Sequence, residues 1–131
     1  MPNDPIATPV LPEWLADAVS SLTRGELAGW MALYAPDGVH EFPFAKAGST
    51  RRVEGRDAIG AYLEAVFARI RFGRFDVTHV HEDGEETIVE ATGDHHDTAG
   101  VPFRIGYVWF ITRRNGQVTL MRDYMARLPI D

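Results

Sequence analysis

The segment from Phe103 to Leu128 reads "FRIGYVWFITRRNGQVTLMRDYMARL" and predicts two β-strands joined by a tight turn. Asn-Gly at 115–116 is a strong signal for a two-residue hairpin turn. We expect the strands at about 101–113 and 117–128, with successive side chains on opposite faces. One face of the first strand is then Phe103, Ile105, Tyr107, Trp109 and Ile111, and the other includes Val108 and Phe110. Both faces therefore carry large apolar groups.

The second strand of the hairpin carries one charge on each face. Arg122 and Asp123 are adjacent, so they point in opposite directions among apolar neighbours. One of the two must face the interior. The two faces are predicted to be Val118, Leu120, Arg122 and Tyr124, and Thr119, Met121, Asp123 and Met125.

Three helices are predicted upstream of the hairpin. Apolar residues recur at helical spacing from Trp14 to Leu22, and "TRG" ends that helix. A shorter helix runs from Leu27 to Tyr34 and stops at "APDG". The clearest pattern extends from Ile59 to Ile70, with apolar residues at i, i+3, i+4, i+7, i+8 and i+11.

Three further strands are predicted around these helices. "GVHEFPFA" at 38–45 reads as an edge strand because of its proline, and a polar loop follows it. Strands at about 74–82 and 86–95 are separated by the turn "EDGEE", and "DTAG" precedes the final hairpin. The order predicts an α+β domain with helices on one face of a largely antiparallel sheet. We assign residues 13–131 to one domain and residues 1–12, with four prolines, to a flexible arm.

Composition limits the function classes. The chain has 131 residues, 45% of them hydrophobic, which suits one domain with its own core. It lacks cysteine, so thiolate chemistry and disulfides are excluded. Its 19 acidic and 13 basic residues give a net charge of −6, which disfavours nucleic acid. The sequence shows no membrane span or signal peptide, so we expect a cytoplasmic protein without a membrane partner.

The order of elements resembles the nuclear transport factor 2-like superfamily, and within it the SnoaL-like group. The resemblance covers roughly residues 13–128 and rests on "LTRGELAGWMALYAPDGVHEF", on "VEGRDAI" and on "NGQVTLMRDYM". It implies a cone-shaped α+β barrel in which a strongly curved sheet and three helices enclose a pocket. Members include ketosteroid isomerases, polyketide cyclases, limonene epoxide hydrolase, phenazine-biosynthesis proteins and non-catalytic modules, so the fold alone does not fix the activity.

The resemblance assigns a pocket carboxylate to Asp123. The aspartate of "RDY" matches the residue that is the base on water in limonene epoxide hydrolase, and a glutamate occupies the position in phenazine-biosynthesis proteins. His40 is expected to point into the same cavity, where a carboxylate could orient the imidazole or exchange a proton with it. The alternative is that His40 and Asp123 form only a structural hydrogen bond in an apolar core.

Other positions depart from the known relatives. Phe42 stands where ketosteroid isomerase has its aspartate base. The positions of the two oxyanion donors of ketosteroid isomerase align near Ala18 and Trp109. The tyrosine and asparagine of the epoxide hydrolase become His40 and Phe42, and its arginine and aspartate fall near Glu90 and Thr92. Neither activity is therefore expected in its known form. The predicted pocket walls are Phe42, Phe44, Tyr62, Glu90, Thr92, Tyr107, Trp109, Met121 and Met125.

Two function classes follow from these residues. The first is an enzyme that isomerises, hydrates or cyclises a small, apolar, ring-containing molecule without a cofactor, with Asp123 as the acid–base residue and His40 as its helper. The second is a non-catalytic ligand-binding or accessory protein of the same fold. The retained Asp123 favours the enzyme, whereas the loss of the other known catalytic residues favours the binder.

Three further features bear on metals and partners. "GDHHD" at 93–97 contains possible metal ligands, but adjacent histidines on a strand face opposite ways, so we expect a solvated hairpin end and no metal. His79 and His81 share a face without an evident third ligand. A homodimer is expected through the sheet face away from the helices. The apolar patch proposed for it is Val108, Phe110, Val118, Leu120 and Tyr124.

Overall fold

The computed structural model describes residues 9–130. Residues 1–8 of the predicted arm lie outside this range, and the division at residue 12 remains a prediction. The helices are α1 (Glu13–Thr23), α2 (Ala28–Met31) and α3 (Arg56–Phe67). The strands are β1 (Tyr34–Glu41), β2 (Arg52–Glu54), β3 (Ile70–Asp83), β4 (Glu86–Asp97), β5 (Pro102–Arg114) and β6 (Gln117–Leu128).

The six strands form one curved sheet in the order β2-β1-β6-β5-β4-β3. Its antiparallel β3–β6 meander confirms the four consecutive strands predicted from sequence, and β1 then runs parallel to β6. The three helices contribute Leu15, Trp30 and Ile59 to a core that Val89 and Ile111 of the sheet complete. The α+β fold class, with helices packed on a strongly curved sheet, is confirmed.

The start of β1 differs from the sequence prediction. Tyr34 begins the strand instead of ending a helix, and "APDG" forms an irregularity between the pairs Tyr34–Val118 and Val39–Leu120. Gly38 is needed there, because a Cβ atom would lie 2.9 Å from the Val118 carbonyl oxygen. The turn-forming residues therefore bend the strand without ending it.

The boundary between α3 and β3 also differs. The helix ends at Phe67, and β3 begins at Ile70, four residues before the predicted Arg74. The register shifts between Arg71 and Arg74, which places Phe72 and Gly73 opposite the single residue His95. This bulge lets the strand change direction while its apolar side chains continue to cover the core.

A second bulge changes the faces of β6. Thr112 pairs with Leu120 but Arg113 pairs with Val118, so Thr119 is an extra residue. An extra residue reverses the alternation of side chains. Val118 consequently faces the interior with Met121, and both are 0% exposed. The assignment of Val118 to the outer patch is therefore wrong, whereas Leu120 and Tyr124 remain half-buried.

Candidate functional site

A cavity of about 210 Å³ lies between the helices and the inner face of the sheet. Most of its wall is apolar, with side chains from all three helices and from four strands. Asp123 is its one carboxylate among the described residues. The other wall side chains with nitrogen or oxygen atoms are Trp30, His40, Tyr62, Tyr107 and Trp109.

Asp123 lies on β6 directly opposite Trp109 of β5 and is 8% exposed. The Trp109 indole Nε1 donates a hydrogen bond to Asp123 Oδ1 at 3.1 Å. His40, on the neighbouring strand β1, lies with its Nε2 atom 3.1 Å from Asp123 Oδ2. Each oxygen of the Asp123 carboxylate thus has a hydrogen-bond partner within the protein, and the carboxylate still borders the cavity.

The hydrogen-bond network indicates the tautomer of His40. The Tyr34 hydroxyl lies 2.8 Å from His40 Nδ1, and Tyr34 is fully buried. Burial raises the pKa of Tyr34 above its usual range, although a hydrogen bond with Trp30 opposes this effect. The hydroxyl therefore keeps its proton and donates it to Nδ1, since the Trp30 indole can only donate. With Nδ1 as the acceptor, the Nε2–H of His40 donates to Asp123.

A second buried histidine reaches the cavity through Tyr107. His95 is 3% exposed, and its Nε2 atom lies 2.8 Å from the Tyr107 hydroxyl. The backbone N–H of Gly73 donates to His95 Nδ1 at 3.0 Å. Burial lowers the pKa of His95 to about 4, and the charge of Asp94 offsets only part of this effect. His95 is thus neutral near pH 7.

A more open recess lies on the other side of Asp123. It has a volume of about 350 Å³ and shares Tyr62, Asp123 and Met125 with the cavity. Lys46 and Arg127 contribute to its outer wall. The carboxylate therefore lies where the enclosed apolar cavity meets a more open recess that carries two basic side chains.

Six of the predicted site residues lie in the cavity wall, and two more pack behind it. Phe42 is buried, lines the recess, and packs at a tilt against His40 and Tyr62, with ring centroids 4.6 and 5.3 Å away. Met121 is fully buried in the core. The six in the wall are His40, Tyr62, Tyr107, Trp109, Asp123 and Met125.

Three predicted wall residues lie elsewhere. On β4, Val89 and Ala91 face the core, so Glu90 and Thr92 point to the opposite face. There the Thr78 hydroxyl and His79 lower the pKa of Glu90 by hydrogen bonding. Phe44 is 71% exposed, because the chain leaves the sheet after Glu41. The expected placement of Glu90 and Thr92 in the cavity was wrong, whereas Phe44 lines the open recess beside Asp123.

The "GDHHD" segment was also placed incorrectly. Its first histidine, His95, is buried, whereas His96 is exposed. The alternation of small and buried residues at 89, 91, 93 and 95 is the signal that could have revealed an inward His95. Within residues 9–130, no group of three or more histidine, aspartate or glutamate side chains is arranged to hold a metal ion. No helix in that range has the length and apolarity needed to cross a bilayer.

Comparison with known proteins identifies the family of this fold. Residues 15–121 match the model of the SnoaL-like domain. The uncharacterised protein YesE of Bacillus subtilis is 30% identical over 121 residues, covering 90% of this chain and 82% of that protein. An uncharacterised PhzA/B-like protein of Pseudomonas aeruginosa is 34% identical over 115 residues, covering 86% and 81%.

A solved structure shares the fold. The crystal structure of a proposed isomerase from Bacillus subtilis superposes with a TM-score of 0.80 at 29% identity, covering 87% of this chain and 84% of that one. The matched domain spans most of the residues that build the sheet and helices. The chain belongs to the SnoaL-like domain family.

Proposed function

We propose that this SnoaL-like protein is an enzyme that carries out cofactor-free acid–base chemistry on a small, apolar, ring-containing molecule. The observation that carries the proposal is the His40–Asp123 pair, whose Nε2 and Oδ2 atoms are 3.1 Å apart in the wall of an apolar cavity. A buried carboxylate beside an apolar cavity is a common arrangement for a general base. The reaction class is isomerisation, hydration or cyclisation.

Asp123 acts as the proton acceptor in this proposal. Its carboxylate takes a proton from a substrate C–H group or from a water molecule, and it returns that proton to another atom of the product. His40 Nε2–H holds one carboxylate oxygen in place, and Trp109 holds the other. The apolar surroundings exclude bulk water, which strengthens the electrostatic contacts made during the reaction.

The size of the cavity limits the substrate. An apolar cavity of about 150 Å³ holds benzene, so the observed 210 Å³ suits a single ring with a short substituent. A longer or polar substituent can extend past Asp123 into the recess that contains Lys46 and Arg127. Single-ring ketones and epoxides are therefore suitable probes.

The test compares Asp123→Asn with the parent protein on two probes. Proton NMR in deuterated water follows deuterium incorporation at the α-carbon of acetophenone, and chromatography follows hydrolysis of styrene oxide. At least one reaction should be catalysed, and Asp123→Asn should slow it by about 10²–10⁴-fold. Asp76→Asn makes the same chemical change at an exposed carboxylate paired with Arg74, so it should retain full activity. Turnover that survives in Asp123→Asn would refute the role of the carboxylate.

A non-catalytic binder remains the second candidate. Both oxygens of Asp123 already accept hydrogen bonds, which weakens a carboxylate as a base. In this case the probes bind but are not turned over, and Asp123→Asn lowers the melting temperature instead of a rate. Calorimetric binding together with the absence of turnover would favour this candidate.

We also propose that the protein is a homodimer through the outer face of the sheet. Val108, Phe110, Leu120 and Tyr124 are half-buried there, and Phe110 and Tyr124 pack edge to face at 5.6 Å. An apolar face left open on one side of a sheet favours a second copy. Analytical ultracentrifugation should give about twice the chain mass of 14.6 kDa. Phe110→Glu should give the monomer, and a monomeric parent protein at micromolar concentration would contradict the proposal.

A further inference from the structure

We infer that Tyr107 is a dedicated hydrogen-bond donor to an oxygen atom of the ligand, and that His95 and Gly73 hold it in that role. This inference rests on the proposed function and narrows its substrate class to single-ring carbonyl compounds. His95 contacts Tyr107 and not the cavity contents, so it is a positioning residue.

The direction of the hydrogen bonds follows from the Gly73 N–H group. A backbone N–H can only donate, so His95 Nδ1, 3.0 Å away, accepts and carries no proton. A neutral imidazole has one N–H, which is then on Nε2 and points at the Tyr107 oxygen at 2.8 Å. Tyr107 thus accepts from His95, and its own O–H proton must go elsewhere.

The hydroxyl proton of Tyr107 points into the cavity in this arrangement. Tyr107 lines the cavity and is 7% exposed, and no described protein atom accepts its hydroxyl proton. A buried hydroxyl proton without an acceptor is unfavourable. An oxygen atom of a bound ligand would remove this cost, whereas a hydrocarbon would not.

The backbone is adapted to this arrangement. The bulge at Phe72 and Gly73 frees the Gly73 N–H group from the β-ladder and directs it to His95. A Cβ atom at Gly73 would collide with the Asp94 carbonyl oxygen, and one at Gly93 would collide with the His95 ring. The phenyl rings of Phe72, Phe75 and Phe103 enclose the imidazole at centroid distances of 5.1 to 5.6 Å.

The two polar groups of the wall then have complementary roles. Tyr107 pairs with Met125 on β6, two residues from Asp123, so the donor and the carboxylate lie on the same face of adjacent strands. When Asp123 removes a proton from the carbon next to a carbonyl, the C–H electron pair forms an enolate and negative charge collects on its oxygen. A donor aimed at that oxygen stabilises the charge. Return of the proton from Asp123 to carbon or oxygen completes the balance.

The binding test uses acetophenone and α-methylstyrene, which differ by a carbonyl oxygen in place of a CH₂ group. Tryptophan fluorescence reports binding, because Trp30 and Trp109 line the cavity. The parent protein should bind the ketone about fivefold to tenfold more tightly than the alkene, and Tyr107→Phe should bind the two equally. Tyr124→Phe removes a hydroxyl on the outer face and should keep the preference.

Two spectroscopic measurements test the hydrogen bonds themselves. The infrared carbonyl stretch of ¹³C-labelled acetophenone should move to lower frequency in the parent protein and return in Tyr107→Phe. Nitrogen-15 NMR should show His95 protonated at Nε2 and not at Nδ1. The inference is overturned if the carbonyl stretch is the same in both proteins, if Nδ1 carries the proton, or if the parent protein binds neither probe or shows no preference for the ketone.

These outcomes are independent of catalysis by Asp123. The ketone preference and the carbonyl shift are measured at equilibrium, and both should persist in Asp123→Asn. A protein that binds the ketone through Tyr107 but turns nothing over would refute the enzyme proposal alone. A protein that depends on Asp123 for turnover but shows no ketone preference would refute the Tyr107 inference alone.

Discussion

Lowering the pH from about 7 to about 5 should destabilise the protein through His95 by about 2 kcal/mol. The structure holds this imidazole neutral, with a pKa lowered from 6.5 to about 4, because the ring is 3% exposed among phenyl rings. In the unfolded chain the same group takes up a proton below about pH 6.5. The unfolded state therefore binds more protons between these two values, so stability falls as the pH falls through this window.

The magnitude follows from the size of the shift. Each pH unit below the unfolded value costs about 1.4 kcal/mol, which gives about 2 kcal/mol at about pH 5. The full effect is about 3 kcal/mol near pH 4, and it does not grow further at lower pH, because the folded protein then also binds the proton. At pH values well above the unfolded pKa of 6.5 both states are neutral at this site, and the contribution is constant.

Urea unfolding at several pH values between about 4 and 7 measures this effect. Carboxylates also titrate toward the lower end of that range, so the relevant quantity is the difference between the parent protein and His95→Gln. Glutamine keeps an N–H donor for Tyr107 but does not titrate, so its free energy of unfolding should fall less steeply with acid. His96→Gln changes the exposed neighbour and should follow the parent protein. Parallel curves for the parent protein and His95→Gln would refute the reasoning.

Two substitutions test the packing around the buried histidines. Gly93→Ala should lower the free energy of unfolding by about 1–3 kcal/mol, because its Cβ would press on His95 and lie 2.9 Å from Tyr107 Cε2. Gly60→Ala is the control, because the nearest atom to its Cβ would be Met31 Cε at 3.5 Å, and it should be neutral or stabilising. If urea unfolding gives the two alanine variants equal stability, the close approach of His95 and Tyr107 to Gly93 is contradicted. Tyr34→Phe should cost about 1–3 kcal/mol, since it leaves His40 Nδ1 buried without its donor. Thermal unfolding checks this, with Tyr124→Phe expected to change little; a smaller loss for Tyr34→Phe than for Tyr124→Phe would contradict the assigned tautomer.

The fold could be predicted where local patterns are strong. The Asn-Gly turn at 115–116 fixes the β5–β6 hairpin because both residues adopt the positive φ angles, 52° and 77°, that such a turn requires. Helix α3 was recognisable from its apolar periodicity, although the pattern ran on to Ile70, which belongs to β3. Periodicity reports which residues are buried, and it does not show where a helix ends and a strand continues the same buried surface.

The faces of the strands were harder to predict where the alternation is interrupted. The extra residue Thr119 reverses the side of Val118, and nothing in "GQVTLMRD" marks it, because threonine is common in regular strands. Asp123 lies beyond this bulge and keeps the predicted orientation relative to Met121. Register shifts depend on pairing with a distant strand, so local sequence does not reveal them.

The candidate site was predictable only in part for the same reason. The inward direction of His40 and Asp123 followed from the family resemblance and from the alternation of side chains along a strand. Glu90 and Thr92 were placed inward by analogy with the epoxide hydrolase, although the alternation along β4 puts them on the opposite face. His95 was missed because two adjacent histidines between aspartates resemble a polar turn. Its burial depends on Gly73 and Gly93, which lie on two different strands and make room for the ring.

The parallel pairing of β1 with β6 has a consequence for the order of folding. Strands β3 to β6 are joined by short connections and can pair locally, but His40 and Asp123 are separated by 83 residues. Closing so long a loop is slow compared with forming a hairpin, because the entropic cost comes before the contacts that offset it. In a refolding experiment, sheet formation should precede the ability to bind a ring compound, and the interval between the two signals measures how long β1 takes to dock along β6.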